Sequence, residues 1–114
     1  MNYDLEERTN RFGIAIIVFC QTLSKDSLTR PLANQLIRSG TSVGANYMEA
    51  IQAASKKDFR NKIKICQKEA NETKYWLRMM GNFKTIDLQE CRKLWQESHE
   101  LVLIFAKISK SCKV

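Results

Sequence analysis

Apolar residues recur at alternating steps of three and four along most of the chain, which is the spacing of helices that bury one face. The clearest series contains Phe59, Ile63, Cys66, Ala70, Thr73, Leu77 and Met80. An earlier series contains Leu32, Leu36, Gly40, Val43, Tyr47, Ile51 and Ala54. Ser55 lies between the two series, and Asp58 follows it three residues later, as in a capping box that begins a helix. The pattern therefore predicts two long helices joined by a tight turn.

One further helix is predicted on each side of this hairpin. Asp4 is placed to cap the first helix and Asp87 to begin the last. The four helices are expected at about residues 5–23, 28–54, 56–80 and 87–111. Short connections between helices favour antiparallel neighbours. We therefore expect an all-α fold, an antiparallel up-and-down four-helix bundle in one domain, residues 1–114.

Several positions outside the inward-facing series suggest contacts with another subunit. Ile14, Ile17 and Val18 make the first helix apolar on more than one side. The outer side of the second helix carries small residues and single polar ones, where a solvated face would carry more Lys and Glu. Subunit contact is predicted there, with plain solvent as the alternative. The predicted subunit-interface residues are Arg38, Ser42, Ala45, Asn46, Glu49, Ile65 and Trp76.

Gly40 and Gly44 lie four residues apart inside the second helix. Each glycine costs about 1 kcal/mol relative to alanine in a helix interior. A close approach by a neighbouring helix would offset that cost. A phosphate-binding loop is disfavoured because the segment lies within a helical pattern and follows no predicted strand.

Positive charge is concentrated in one helix. The chain has a formal net charge of +7, and residues 56–80 hold eight Lys and Arg against three Asp and Glu, a net +5. A concentrated field of this kind favours a polyanionic partner. The predicted nucleic-acid-binding residues, which share the outer side of the third helix, are Lys57, Arg60, Lys64, Lys68, Tyr75 and Arg78. Each lysine alone is more often part of a solvated face, so the prediction rests on the cluster.

The sequence offers little for catalysis or metal binding. The four cysteines have no C-x-x-C spacing, and His99 is the only histidine. Buried, reduced thiols are therefore expected, and zinc is disfavoured. Nucleotide-binding glycine motifs and the H-E-x-x-H metalloprotease motif are absent from the sequence. We expect no enzyme activity and no cofactor. No apolar run reaches the length of a membrane span, and no signal peptide is recognisable, so a cytoplasmic protein without membrane contact is expected.

Four segments of the chain resemble a known family. They are DLEERT, RSGTSVGANYMEA, SKKDF and KICQKEANETKYWL, and they follow the order of that family over nearly the whole chain. The chain resembles the S23 ribosomal protein family, also called 23S rRNA intervening-sequence proteins. Leu23-Ser24-Lys25 stands where the family often has Leu-Pro-Lys, in a predicted loop.

The resemblance implies a four-helix bundle without known catalytic activity that assembles into a ring, a homopentamer. A related family serves as the accessory subunit of reverse transcriptases in diversity-generating retroelements, where a basic pentameric barrel binds nucleic acid and the enzyme. The leading prediction is a non-enzymatic, oligomeric protein that binds the backbone of RNA or DNA. The alternatives are a ring-shaped protein adaptor, for example for a reverse transcriptase, and a small enzyme or metal carrier.

Overall fold

The computed structural model describes residues 4–114 of the chain. Four helices make up the described part: α1 spans Leu5–Gln21, α2 spans Thr29–Ile51, α3 spans Lys56–Met80 and α4 spans Leu88–Ser111. No strand occurs within residues 4–114. The prediction of an all-α fold is therefore confirmed.

Side-chain caps begin the helices as the sequence indicates. Asp4, Ser55 and Asp87 each accept a hydrogen bond from the backbone N–H three residues later, at 2.8, 3.0 and 3.1 Å. Each bond satisfies an N–H that has no partner inside the helix. No cap was predicted for α2, where the carboxylate of Asp26 accepts a hydrogen bond from the backbone N–H of Thr29 at 2.7 Å.

Two of the predicted helix ends were placed too late. α1 ends at Gln21 and α2 at Ile51, whereas residues 23 and 54 were expected. Ser55 must be extended to cap α3, with φ −148° and ψ 162°, so the chain needs residues 52–54 to reverse direction. The inward positions assigned to Ile51 and Ala54 were consequently wrong, and both residues are exposed. Leu88, in the first turn of α4, is also exposed.

Consecutive helices pack side by side in opposite directions. In each pair, a residue that lies later in one helix contacts a residue that lies earlier in the other, as antiparallel helices require. The contacts that show this are Cys20–Ala33 and Ile16–Gly40 between α1 and α2, Ser39–Thr73 and Glu49–Lys62 between α2 and α3, and Cys91–Leu77 and Cys112–Lys56 between α3 and α4. Arg8 on α1 binds Glu97 on α4, which brings the first and last helices together.

The core contains residues from all four helices. Ile16, Leu36, Ile63 and Phe105 are each fully buried. Three fully buried hydroxyl groups are paired: Thr73 donates to Ser39 at 2.9 Å, Ser39 lies 3.4 Å from the Leu36 carbonyl, and Ser98 on α4 donates to a backbone carbonyl of α3 at 2.8 Å. None of the helices described over residues 4–114 is long and apolar enough to cross a lipid bilayer.

The glycines of α2 permit a close approach to α1, as the sequence analysis expected. A Cβ atom on Gly40 would lie 2.9 Å from Cγ1 of Ile16, closer than two carbon atoms can pack. At Gly44 the nearest atom would be the Thr9 hydroxyl oxygen at 3.4 Å. The two glycines therefore differ: the first is required for the packing of α1 on α2, and the second has more room.

Candidate nucleic-acid interface

The basic residues predicted on α3 lie together along the outside of the bundle. Lys57, Lys64, Lys68 and Arg78 are exposed, and the ring of Tyr75 is exposed between the last two. Their separation along the helix is about 30 Å from first to last at ~1.5 Å per residue. Because one nucleic-acid strand advances ~3.4 Å per phosphate, this row is about as long as nine nucleotides of a duplex strand.

These cations keep their charge available. No ion pair to a carboxylate forms at Lys57, Lys64, Lys68 or Arg78 within the described residues. Arg60 differs from the others, since it is half-buried and its Nε atom lies inside without a hydrogen-bond partner in the described chain. The predicted row is therefore four exposed cations with Arg60 at its edge.

The acidic residues of α3 face α2. Arg38 on α2 forms ion pairs with Glu72 and, at 3.4 Å, with Glu69. Glu49 on α2 binds Lys62 at 2.9 Å, and this hydrogen bond raises the pKa of the Lys62 ammonium, with a smaller contribution from the nearby carboxylate of Asp58. These contacts place Glu69 and Glu72 on the α2 side of α3, beside its basic row.

The acidic residues of α4 face α1. Arg8 on α1 binds Glu97 at 2.8 Å and Glu100 at 2.9 Å. These hydrogen bonds raise the pKa of Arg8, and the bond from Arg8 lowers the pKa of the Glu100 carboxyl. Glu90 and Asp87 line a cleft against α1. The carboxylates of Glu69 and Glu72 are thus on the side of α3 shared with α2, and those of Glu90, Glu97 and Glu100 on the side of α4 shared with α1.

The remaining side of α3 and α4 carries basic side chains interspersed with uncharged ones such as Tyr75 and Trp95. We call it the cationic face, and it carries Lys57, Lys64, Lys68, Lys74, Arg78 and Arg92. Because its potential is not cancelled locally by carboxylates, it can attract a polyanion over distances up to the Debye length, about 8–10 Å at physiological salt.

Two residues of the cationic face, Lys74 and Arg92, were not predicted from the sequence, and neither were the aromatic rings of Trp95 and His99 beside them. The Lys74 ammonium donates to Nδ1 of His99 at 3.0 Å and lies 4.9 Å from the centre of the Trp95 ring. The rings of Trp95 and His99 stack at 5.2 Å with an 11° angle between their planes. Arg92, one turn earlier, lines a cleft with Trp95. The spacing of Arg92, Trp95 and His99 on one side of the fourth helix was the signal that could have identified them.

The predicted subunit-interface residues lie on a different side, along the groove between α2 and α3. Arg38 and Glu49 bind α3 of the same chain, as described above. The Ser42 hydroxyl donates to the Arg38 carbonyl at 2.6 Å, and the Asn46 amide donates to the Ser42 carbonyl at 2.8 Å. Ala45 is exposed beside them. These polar groups are thus satisfied within one chain, at the surface of the bundle.

On the α3 side of this groove, Ile65 and Trp76 are half-buried. The Trp76 indole N–H donates to Glu72 at 3.3 Å, and its ring meets Tyr75 edge-on with ring centres 5.0 Å apart. Trp76 therefore lies between the groove and the basic row, and it contacts Glu72 on the groove side and Tyr75 on the side of the basic row.

A second apolar surface lies on the outside of α1. Ile14 is 61% exposed and Val18 53% exposed, and Ile17 is exposed beside them. We call these three residues the α1 stripe. Their spacing places them on one side of a helix, so they form a contiguous apolar patch.

The cysteines have the character of packing residues. Cys66 and Cys91 are buried and Cys20 and Cys112 half-buried, and all four are free thiols. Burial raises the pKa of Cys66 to about 12, so its thiolate is scarcely populated near neutral pH. Within residues 4–114 no three His, Cys, Asp or Glu side chains group as a metal site requires.

The fold and surface define a class: a small antiparallel four-helix bundle whose last two helices form a basic face with no carboxylate ion-paired to Lys57, Lys64, Lys68 or Arg78 within residues 4–114. Comparison with known proteins identifies the family. Residues 2–107 match the family model of the 23S rRNA-intervening sequence protein, and the chain belongs to this family.

A solved structure agrees with this assignment. It is a protein of unknown function from the S23 ribosomal protein family of Bacteroides thetaiotaomicron VPI-5482, 34% identical in sequence, with a TM-score of 0.85. The match covers 93% of this chain and 98% of that one. No curated protein matches the chain.

Proposed function

We propose that this protein is a non-enzymatic nucleic-acid-binding bundle that acts as an oligomer and contacts the phosphate backbone of RNA or DNA. The observation that carries the proposal is the cationic face, where the exposed side chains of Lys57, Lys64, Lys68 and Arg78 form no ion pair with a carboxylate of the described chain. Membership in a family named for 23S rRNA intervening sequences is consistent with a nucleic-acid partner.

Backbone binding predicts a strong dependence on salt and little dependence on sequence. Each phosphate neutralised adds about −0.9 to the slope of log K against log salt for duplex DNA. Four contacts from Lys57, Lys64, Lys68 and Arg78 would therefore give a slope near −4 per subunit.

The test is a titration of fluorescent RNA and DNA duplexes at several salt concentrations with the triple variant Lys57→Glu, Lys64→Glu, Lys68→Glu. We expect affinity to fall at least about tenfold at low salt and the slope to lose about three units. All three residues are exposed, so the variant should fold as wild type.

The matched control reverses charge on another surface. Lys25 is an exposed lysine in the loop between α1 and α2, away from the cationic face. Lys25→Glu should leave the slope unchanged. If the triple variant binds as tightly as wild type, or if Lys25→Glu weakens binding as much as a single change in the cationic face, the proposal is wrong.

The oligomer we propose is a closed ring, a pentamer. A ring needs two different surfaces on each subunit, because each copy meets its neighbours head to tail. The bundle has two candidate surfaces outside the cationic face. The α1 stripe is apolar and uncovered, and the groove residues Ser42, Ala45, Asn46 and Ile65 line the side between α2 and α3. Pairing these two surfaces would leave the cationic face of every subunit open.

The second candidate function is a protein adaptor, for example an accessory subunit of a reverse transcriptase. The exposed α1 stripe favours it, because such a patch can receive a different protein instead of a second copy. Complex formation that survives nuclease treatment and high salt would support the adaptor, since backbone binding would be lost under those conditions.

A further inference from the structure

A cleft opens at one end of the cationic face, where α3 ends and α4 begins. It encloses about 340 Å³, within the usual range for small-ligand sites. Its walls include Leu77, Arg78, Asn82, Leu88, Arg92 and Trp95. The cleft therefore combines two cations, an amide and an aromatic ring in one concave surface.

The polar groups of the cleft retain bonding capacity. Neither Arg78 nor Arg92 forms an ion pair within the described residues. The Asn82 amide nitrogen donates to the Arg78 carbonyl at 3.0 Å, which fixes the side chain and leaves its oxygen as an acceptor. Two free guanidinium groups can hold a phosphate bidentately.

The aromatic wall is held in place. The Trp95 ring stacks on His99, one turn further along α4, and Lys74 lies against both rings. Since Lys can only donate, Nδ1 of His99 is the acceptor in their hydrogen bond. Leu88 and Arg92, on the other side of Trp95 along the helix, line the cleft. These contacts restrain the ring, and Trp95 presents an aromatic wall to the cleft.

We infer that this cleft binds one unpaired nucleotide, with its base stacked on Trp95 and its phosphate between Arg78 and Arg92. The inference rests on the proposed function and narrows it to a preference for single-stranded segments at this end of the bundle. A base within a duplex is already stacked on both sides, so only an unpaired base can enter the cleft. An acidic peptide could use the arginines, but it has no flat ring for Trp95.

The experiment compares a single-stranded oligouridylate of about 12 nucleotides with an oligouridylate–oligoadenylate duplex of the same length. The protein carries Trp76→Phe, so that Trp95 is the only tryptophan. We expect the single strand to quench Trp95 fluorescence and the duplex to leave it unchanged. Trp95→Leu should weaken single-strand binding about 5- to 150-fold, the usual loss for one stacked base, and should leave duplex binding unchanged. Trp95→Phe should restore most of the affinity.

A pair of charge variants tests the cleft without disturbing packing. Arg92→Gln removes a cation from the cleft, and Lys110→Gln removes one from the exposed end of α4. Arg92→Gln should weaken single-strand binding clearly more than Lys110→Gln does. Because Arg92 is exposed, this comparison holds even if Trp95→Leu does not fold.

The outcomes separate this inference from the proposed function. If wild type binds neither these RNAs nor the DNA duplexes of the titration above, the proposed function fails; if it binds the DNA duplexes but neither RNA, only the cleft inference is overturned. If both RNAs bind and the triple Glu variant releases them, but Trp95→Leu and Arg92→Gln bind single strands as wild type does, only the cleft inference is overturned. It is also overturned if a polyglutamate peptide quenches Trp95 as strongly as the single strand, since the cleft would then accept an acidic protein segment.

Discussion

Replacing Gly40 with alanine tests the packing of α1 on α2. The added methyl group would lie 2.9, 3.0 and 3.2 Å from the Cγ1, Cγ2 and Cβ atoms of Ile16. Carbon atoms pack at about 3.5–4.0 Å, so the overlap is about 0.6 Å at the nearest contact. Ile16 is fully buried, and a β-branched side chain in a helix has one strongly preferred rotamer. The two helices must therefore move apart.

Two opposing effects set the size of the change. Alanine is favoured over glycine in a helix interior by about 1 kcal/mol. Overpacking a core costs about 1–3 kcal/mol, and a contact that includes a Cβ atom belongs in the upper part of that range. We therefore expect Gly40→Ala to destabilise the protein by about 1–2 kcal/mol.

Gly44→Ala is the matched control. It changes the same residue type in the same helix, and its nearest neighbour would be the Thr9 hydroxyl oxygen at 3.4 Å, an ordinary contact. The helix preference then dominates, and we expect a gain of about 0.5–1 kcal/mol. The same substitution should thus have opposite signs at positions one helical turn apart.

A double-mutant cycle identifies the cause. In an Ile16→Ala background the two γ carbons are gone and the Cβ contact at 3.2 Å remains, so its cost and the helix preference for alanine nearly cancel and Gly40→Ala should become nearly neutral. The expected coupling is about 1–2 kcal/mol. Urea unfolding followed by far-UV circular dichroism measures each variant, at one protein concentration because oligomers gain stability with concentration. A Gly40→Ala protein at least as stable as wild type, or an equal loss in both backgrounds, would refute the reasoning.

Two further predictions concern α1. Arg8→Met should lower stability at pH 7 by about 1 kcal/mol, because Arg8 binds both Glu97 and Glu100. The hydrogen bond from Arg8 lowers the pKa of the Glu100 carboxyl. The stabilisation that Glu100 gains from Arg8 is therefore fully present above the ordinary pKa of 4.5, and it is lost as pH falls through the lowered pKa. The difference in free energy of unfolding between variant and wild type, measured by urea unfolding from pH 7 to 3, should therefore shrink as the solution becomes more acidic. A difference that stays constant over this range would contradict the prediction. Ile14→Asp should reduce the mass measured by light scattering, whereas Leu103→Asp, at an apolar residue of α4 that is 56% exposed, should not. If both changes reduce the mass equally, the α1 stripe is not the subunit surface.

Local sequence features predicted most of the fold. The caps at Asp4, Ser55 and Asp87 are contacts over three residues, which the sequence itself displays. The buried series of α3 follows from its spacing alone, because a long amphipathic helix has one way to bury its apolar side. The end of α2 was misplaced because it depends on where the chain must reverse to reach Ser55, and apolar spacing through Ala54 carries no information about that turn.

The candidate site was only half predictable. The basic row of α3 lies within one helix, so its shared side could be identified from spacing. The contribution of Lys74, Arg92 and Trp95 depends on how α3 and α4 are rotated against each other. Arg38 and Glu49 were predicted to meet another subunit, and the structure shows that both already bind α3; whether the groove also meets a neighbour stays a prediction.

The amino-acid sequence by itself determined the four amphipathic helices, most of their starts, their inward sides and the excess of positive charge on the third, because each of these depends on neighbours a few residues apart. Only the tertiary structure decided which surface of the protein carries a positive potential that nearby carboxylates do not offset. Long-range ion pairs from α1 and α2 hold the carboxylates of α4 and α3 on the far sides of those helices. One face is left with cations only, since the electrostatic potential at a surface depends on distances in space and not on positions along the chain.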